Sequence, residues 1–186
     1  MSAAPDLSSS VLGGALPVRI LFVCLGNICR SPSAEAVMRA LVREQGLQDL
    51  IEVDSAGTGD WHVGQRPDPR AAAAAARRGI SLDGVARQVE VADFETFHLI
   101  LAMDESNAIA LEEIAPDAAA AAKVRLLREF ERGGSEVRQA RSRPAADLDV
   151  PDPYHGGESG FECVLDLIEG ACAGVLRELE RAIGRR

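Results

Sequence analysis

Residues 18–36 read VRILFVCLGNICRSPSAEA, and this run decides the fold. Val18 to Val23 is apolar except for Arg19 and rich in β-branched and aromatic side chains, which predicts a buried strand. A short loop from Cys24 to Ser31 follows, and Pro32 sits where a first helical turn tolerates proline. From Ala34 to Glu44, the residues Ala36, Val37, Ala40 and Leu41 share one helical face. Strand, loop and helix in that order form the opening unit of a parallel sheet.

The rest of the chain repeats the alternation. A second strand is expected at Leu50 to Asp54, ending in a turn-rich loop from Ser55 to Gly59. Asp68 and Pro69 open a helix through six alanines that Gly79 stops, with Asp68 as N-cap. His98 to Met103 reads as a third strand, Asp104 starts a helix, and Lys123 to Leu127 reads as a fourth strand. Residues 128–150 read as a long surface connection, and the Arg-rich segment 125–143 as a solvated loop. Glu158 to Ile183 is a long amphipathic helix, on which Cys163 and Cys172 are expected in the core. The expected fold is α/β: one domain over residues 18–186, a four-stranded parallel sheet flanked by helices on both faces. A flexible tail over residues 1–17 precedes it. In such sheets ligands sit beyond the carboxyl ends of the strands, where the Cys24 loop falls.

The chain has 186 residues and a formal net charge of −9, so it is not expected to bind nucleic acid. No apolar run approaches the ~20 residues that span a bilayer. Nineteen of the 20 basic residues are Arg; with the abundant Ala, this reads as the bias of a GC-rich bacterial genome. Four cysteines with no secretory signal before them point to free thiols in a reducing cytoplasm. No His/Cys cluster has metal-ligand spacing, so no metal or other cofactor is expected. The acidity alone argues against an anionic substrate.

The loop points the other way. Inward-facing amides of Leu25, Gly26, Asn27, Ile28 and Cys29 at a helix N-terminus form an anion cradle. Arg30 closes it with a planar fork that matches two phosphate oxygens. At the base of the cradle, amides, helix dipole and Arg30 all favour the Cys24 thiolate, a ready nucleophile. A GxxxxGK[ST] nucleotide loop is absent. Cys-x5-Arg-Ser between a strand and a helix is far more specific than either residue alone.

The run VCLGNICRSPSAEA from Val23 to Ala36 resembles the signature of the low-molecular-weight protein tyrosine phosphatases. The resemblance continues in order through Asp54-Ser55, Trp61-His62-Val63-Gly64, Pro67-Asp68-Pro69-Arg70-Ala71, Ala86-Arg87-Gln88, Met103 to Asn107 and Asp152-Pro153-Tyr154. It covers roughly residues 18–183 and implies a flavodoxin- or Rossmann-like sheet.

The resemblance implies roles residue by residue. Cys24 attacks phosphorus and forms a cysteinyl-phosphate. Arg30 binds the phosphoryl oxygens. Asp152 protonates the leaving phenolate and then activates water. Pro151 and Pro153 stiffen its backbone, whereas Asp149 is taken as solvated. Asn27, Ser31 and Ser55 brace the loop, and Ser31 steadies the departing thiolate. Trp61 and Tyr154 clasp the substrate ring, with His62 beside them. His155 stands where many relatives have a second Tyr, and Gly84 where many have a bracing His. Relatives pair the equivalents of Cys24 and Cys29 as a disulfide that protects the nucleophile, which makes Cys29 a redox partner.

The implied substrate is a phosphotyrosine-containing protein, a tyrosine kinase among the candidates, with small aryl phosphates accepted in vitro. The enzyme is expected to act as a monomer or weak dimer. Three alternatives stand beside it. Arsenate reduction on this scaffold needs further relay cysteines, and residues 30–162 contain none. Phosphoarginine phosphatases tend to carry Thr where this loop has Ile28. A catalytically silent phospho-binding module would not need Cys24, Arg30 and Asp152 together.

Overall fold

The computed structural model describes residues 17–131 and 148–184. Strand β1 (Val18–Cys24) is followed by helix α1 (Arg30–Glu44), β2 (Ile51–Gly57) and α2 (Pro69–Arg77). Then come α3 (Asp93–Thr96), β3 (Leu99–Ala102), α4 (Glu105–Ile114), α5 (Ala118–Ala121), β4 (Val124–Leu126) and α6 (Glu158–Gly184). The four strands form one parallel sheet in the order β2-β1-β3-β4. The tail over residues 1–16 lies outside the described residues.

Both faces of the sheet are covered, as the apolar strands require. Val18, Ile20 and Phe22 of β1 pack on one side against α1, α2 and α6. Leu21 and Val23 pack on the other with Phe94, Phe97, Ile100 and Leu111. The alanines of α2 serve close packing: Ala71, Ala74 and Ala75 are buried. Asp68 caps that helix by accepting from the Arg70 N–H at 2.8 Å, with Pro69 at its first position. On α6, Gly174 lies so close to the 3-10 turn Leu127–Phe130 that a Cβ would stand 1.7 Å from the Phe130 carbonyl oxygen.

Several sequence expectations need correction. The second strand does not end at Asp54: Ser55, Ala56 and Gly57 continue it, in register with Phe22, Val23 and Cys24. Their turn-like composition has a packing reason, because a Cβ on Gly57 would stand 2.8 Å from the Leu25 carbonyl oxygen. The connection after β4 is not a surface loop at its two ends, since Leu127, Phe130, Leu148 and Val150 are buried. Arg125 and Arg128 are not solvated either: Arg125 pairs with Glu129 and stacks on Phe130, and Arg128 donates to the Asp149 carbonyl. The rest of the 125–143 segment, from residue 132, lies outside the described residues. Cys163 faces solvent rather than the core, whereas Cys172 is buried.

Candidate active site

Parallel strands deliver their carboxyl ends to one edge of the sheet, and here β1 delivers Cys24. The loop Leu25–Cys29 then wraps into the N-terminus of α1. Its carbonyls are taken up from outside. Cys24 O accepts from Thr58 N, Leu25 O from Gly59 N and Ile28 O from Asp68 N, all at 2.8–2.9 Å. Cys29 O accepts from the Ser33 hydroxyl at 2.7 Å. Among the described residues, none of the Leu25–Cys29 amides donates to a backbone carbonyl. Helix α1 has no side-chain cap at this end. Unspent amides at an uncapped helix N-terminus are what an anion cradle requires.

Asn27 holds the loop in shape. Its φ of 53° lies in the left-handed region, which asparagine tolerates better than most residues. Its Oδ1 accepts from Arg87 N at 2.9 Å, and its Nδ2 donates to Ser31 Oγ at 2.9 Å and Ser55 Oγ at 3.0 Å. Ser31 Oγ lies 3.0 Å from Cys24 Sγ. Arg87 in turn pairs with Asp54 and Asp93, which fixes the segment that braces Asn27.

Arg30 is 2% exposed and meets three acceptors. It donates to Asp104 Oδ2 at 2.5 Å, to the Val150 carbonyl at 3.1 Å and to Asp152 Oδ2 at 2.8 Å. Burial alone would pull its pKa down; Cys24, Asp104 and Asp152 outweigh burial and raise it, so the guanidinium stays charged. Asp104 therefore does more than start a helix. One oxygen caps α4 through Asn107 N at 2.7 Å, and the other holds Arg30.

Asp152 reaches the cradle from the far end of the chain. Its second oxygen accepts from Tyr154 N at 3.0 Å, a local turn that fixes the carboxylate relative to the rim. Asp149 is half-buried, and its side chain accepts from Glu105 N at 2.9 Å, at the start of α4. Arg70, quoted above only as part of a motif, ties this segment to α2. It pairs with Asp68, donates to the Tyr154 carbonyl at 3.0 Å, and lies 5.4 Å from the Tyr154 ring centroid and 4.9 Å from that of Phe161.

These groups surround a cavity of about 350 Å³ walled by Cys24, Ile28, Cys29 and Arg30 below and by Trp61, His62, Asp152, Tyr154 and His155 above. Trp61 and Tyr154 are well exposed, and His155 meets the Tyr154 ring edge-on at 5.1 Å. Cys29 is a free, buried thiol pushed up to about 12, first by burial and then by Asp68, Cys24 and Asp152. A larger groove of about 700 Å³ runs along the outer edge of β2, but it holds none of the loop residues. Among the described residues, no group of His, Cys, Asp and Glu could hold a metal ion, and no helix is long and apolar enough to cross a membrane.

The chain is similar to known proteins over most of its length. Residues 19–184 match the family model described as low molecular weight phosphotyrosine protein phosphatase. A low molecular weight protein-tyrosine-phosphatase of Streptomyces coelicolor is 46% identical over 168 residues, covering 90% of this chain and 97% of the relative. The crystal structure of a protein tyrosine phosphatase from Entamoeba histolytica superposes with a TM-score of 0.78 at 38% identity, covering 88% of this chain and 97% of the other. A Drosophila arginine phosphatase superposes with a TM-score of 0.75 at 34% identity, covering 87% and 97%. With a match running from the first strand to the end of the last helix, the chain belongs to the low molecular weight phosphotyrosine protein phosphatase family.

Proposed function

We propose that this chain hydrolyses phosphotyrosine in proteins, and small aryl phosphates in vitro, through a cysteinyl-phosphate on Cys24. The observation that carries the reading is the convergence of Cys24, Arg30 and Asp152 on one cavity, with Asp152 only 2.8 Å from Arg30. In the first step the Cys24 thiolate attacks phosphorus while the loop amides and Arg30 hold the equatorial oxygens. Arg30 exchanges its contact with Asp152 for a phosphoryl oxygen, and the carboxylate so freed takes up a proton from solvent and gives it to the leaving phenolate. In the second step Asp152 takes a proton from the attacking water, and Ser31 donates to the departing thiolate. Trp61, Tyr154 and His155 flank the ring that carries the phosphate. A reducing cytoplasm suits a nucleophile that must stay a thiolate, and the partner is a phosphotyrosine protein, tyrosine kinases included.

The arginine phosphatase neighbour favours a second reading, phosphoarginine hydrolysis in the same cradle. Ile28 supports the first reading, because a branched apolar wall suits an aryl ester better than a guanidinium nitrogen. Metal-free turnover of matched phosphotyrosine and phosphoarginine peptides tests both readings. The expected result is vanadate-sensitive hydrolysis with the higher kcat/KM on phosphotyrosine; a preference for phosphoarginine reverses the assignment, and no turnover of either leaves a binding module.

In this reading Cys29 is the redox partner of Cys24. With its thiol pushed up to about 12, few molecules carry the Cys29 thiolate at neutral pH. Reversible inactivation by mild peroxide is therefore expected to give way less to irreversible loss as pH rises. If Cys29→Ser recovers activity after peroxide and thiol as fully as the parent, Cys29 has no such role.

A further inference from the structure

Two aspartates from distant parts of the chain meet the N-terminus of α4. Asp104 caps it in the ordinary way, accepting from Asn107 N at 2.7 Å. Asp149 takes the first amide of the helix, Glu105 N, at 2.9 Å and from 44 positions away. Both aspartates lead into the active site. The second oxygen of Asp104 holds Arg30, and Asp149 stands three residues before Asp152.

The segment that carries the acid is anchored just upstream of it. Leu148 and Val150 are buried. Val150 N donates to the Met103 carbonyl at 2.7 Å, just past the end of β3, and the Val150 carbonyl accepts from Arg30 at 3.1 Å. Arg128, in the 3-10 turn after β4, donates to the Asp149 carbonyl at 2.8 Å. Past Val150 the hold thins. Pro151 and Pro153 have no N–H to give, and Pro151 and Asp152 are exposed. The Asp152 carboxylate has two partners, Arg30 and Tyr154 N. The first contact breaks when Arg30 turns to a phosphoryl oxygen, and the second is a local turn that moves with the segment. During the chemical step the acid is therefore placed by its backbone. Upstream of it, Asp149 is the residue that ties that backbone down through its own side chain.

We propose that Asp149 is a positioning residue for the general acid: it fastens the Asp152 segment to the N-terminus of α4, and Arg128 holds the same residue from behind. This deepens the phosphatase reading and rests on it. Asp149 never touches substrate; it acts through the backbone from residue 149 to residue 152. An aspartate suits the place twice, since its oxygen accepts the helical amide and its charge faces the positive end of the helix dipole. One helix end then sets both halves of the chemistry. Asp104 orients the guanidinium that binds the phosphoryl group, and Asp149 orients the acid that releases the phenolate.

The experiment compares the parent with Asp149→Ala, Asp149→Asn, Asp152→Ala and the double variant Asp149→Ala/Asp152→Ala. Each is measured for kcat/KM on phenyl phosphate, whose phenolate needs a proton to leave, and on nitrophenyl phosphate, whose phenolate does not. The expected loss in Asp149→Ala is about tenfold on phenyl phosphate, within the roughly 10²-fold that a 1 Å misplacement can cost. On nitrophenyl phosphate it is less than about threefold, and vanadate affinity stays near the parent's. Asp149→Asn keeps an oxygen for the Glu105 N–H and should stand closer to the parent than Asp149→Ala. The double variant should be no worse than Asp152→Ala, because an acid that is absent cannot be misplaced. Parent-like values on both substrates in a folded Asp149→Ala overturn the proposal. So does an equal loss on both, which a mere helix cap would give, and so do losses that multiply in the double variant. If Asp149→Ala fails to fold, Arg128→Ala removes the other contact on residue 149: a loss there that ignores the leaving group, or no loss, also overturns it. Failure of the phosphatase reading looks different, because the parent itself would then turn over neither aryl phosphate.

Discussion

Replacing Arg30 with lysine is expected to lower kcat about 10²–10³-fold, the scale of losing one preorganised donor to the transition state. The charge survives the change and the fork does not. Arg30 spends three donor contacts on Asp104, Val150 and Asp152 and is closed off from bulk water. Asp104 keeps one guanidinium nitrogen in place while the other faces the cavity. A lysine ammonium is a compact point charge and cannot satisfy Asp104 and two phosphoryl oxygens with one planar geometry. Circular dichroism and the unfolding midpoint check that the variant is folded, since the change leaves buried acceptors with poorer partners. A folded Arg30→Lys within about threefold of the parent in kcat would mean that the planar fork is not what the cradle uses.

Asp152→Ala is the second large effect. A positioned general acid supplies about 10²–10⁴-fold, so kcat on phosphotyrosine should fall by that order. The loss should shrink on an aryl phosphate whose leaving phenolate is already stable, such as a nitrophenolate, because that group needs no proton in the first step. Vanadate affinity should change little, since the cradle amides and Arg30 remain. An equal loss of kcat/KM, which reports the first step alone, on both leaving groups would place Asp152 in a structural role instead. Arg70 matters to the same step, because its bond to the Tyr154 carbonyl and its stacking on the Tyr154 ring hold the segment that carries the acid.

What the sequence made legible follows contact range. Cys24, the loop and Arg30 lie within seven consecutive positions, so their geometry follows from a strand, a turn and a helix start. Asp104 and Asp152 lie 74 and 122 positions from Arg30, and only the folded sheet brings them together. The resemblance supplied Asp152, but Asp104 read only as a helix start because its second contact is long-range. The turn-like residues Ser55 to Gly57 misled because the sheet, and not local propensity, fixes them as strand. Cys163 was legible and misread: Val164, Leu165, Ile168 and Cys172 define the buried face of α6, and residue 163 falls outside it.

The net charge of −9 proves compatible with an anionic substrate because the site collects positive potential locally. Unspent amides, a helix N-terminus and a buried guanidinium face one small cavity. The acidity outside it becomes a matter of which phosphoproteins approach.

In the proposed mechanism Cys24 carries the phosphoryl group between the two steps. A rapid acid quench of the enzyme turning over a radiolabelled phosphotyrosine peptide, followed by digestion and mapping of the label, locates the phosphoryl group. Label on the peptide that contains Cys24, absent from the Cys24→Ala variant, which should also have lost turnover, is the expected result. Label on another residue, or a Cys24→Ala enzyme that still turns over the peptide, would contradict it.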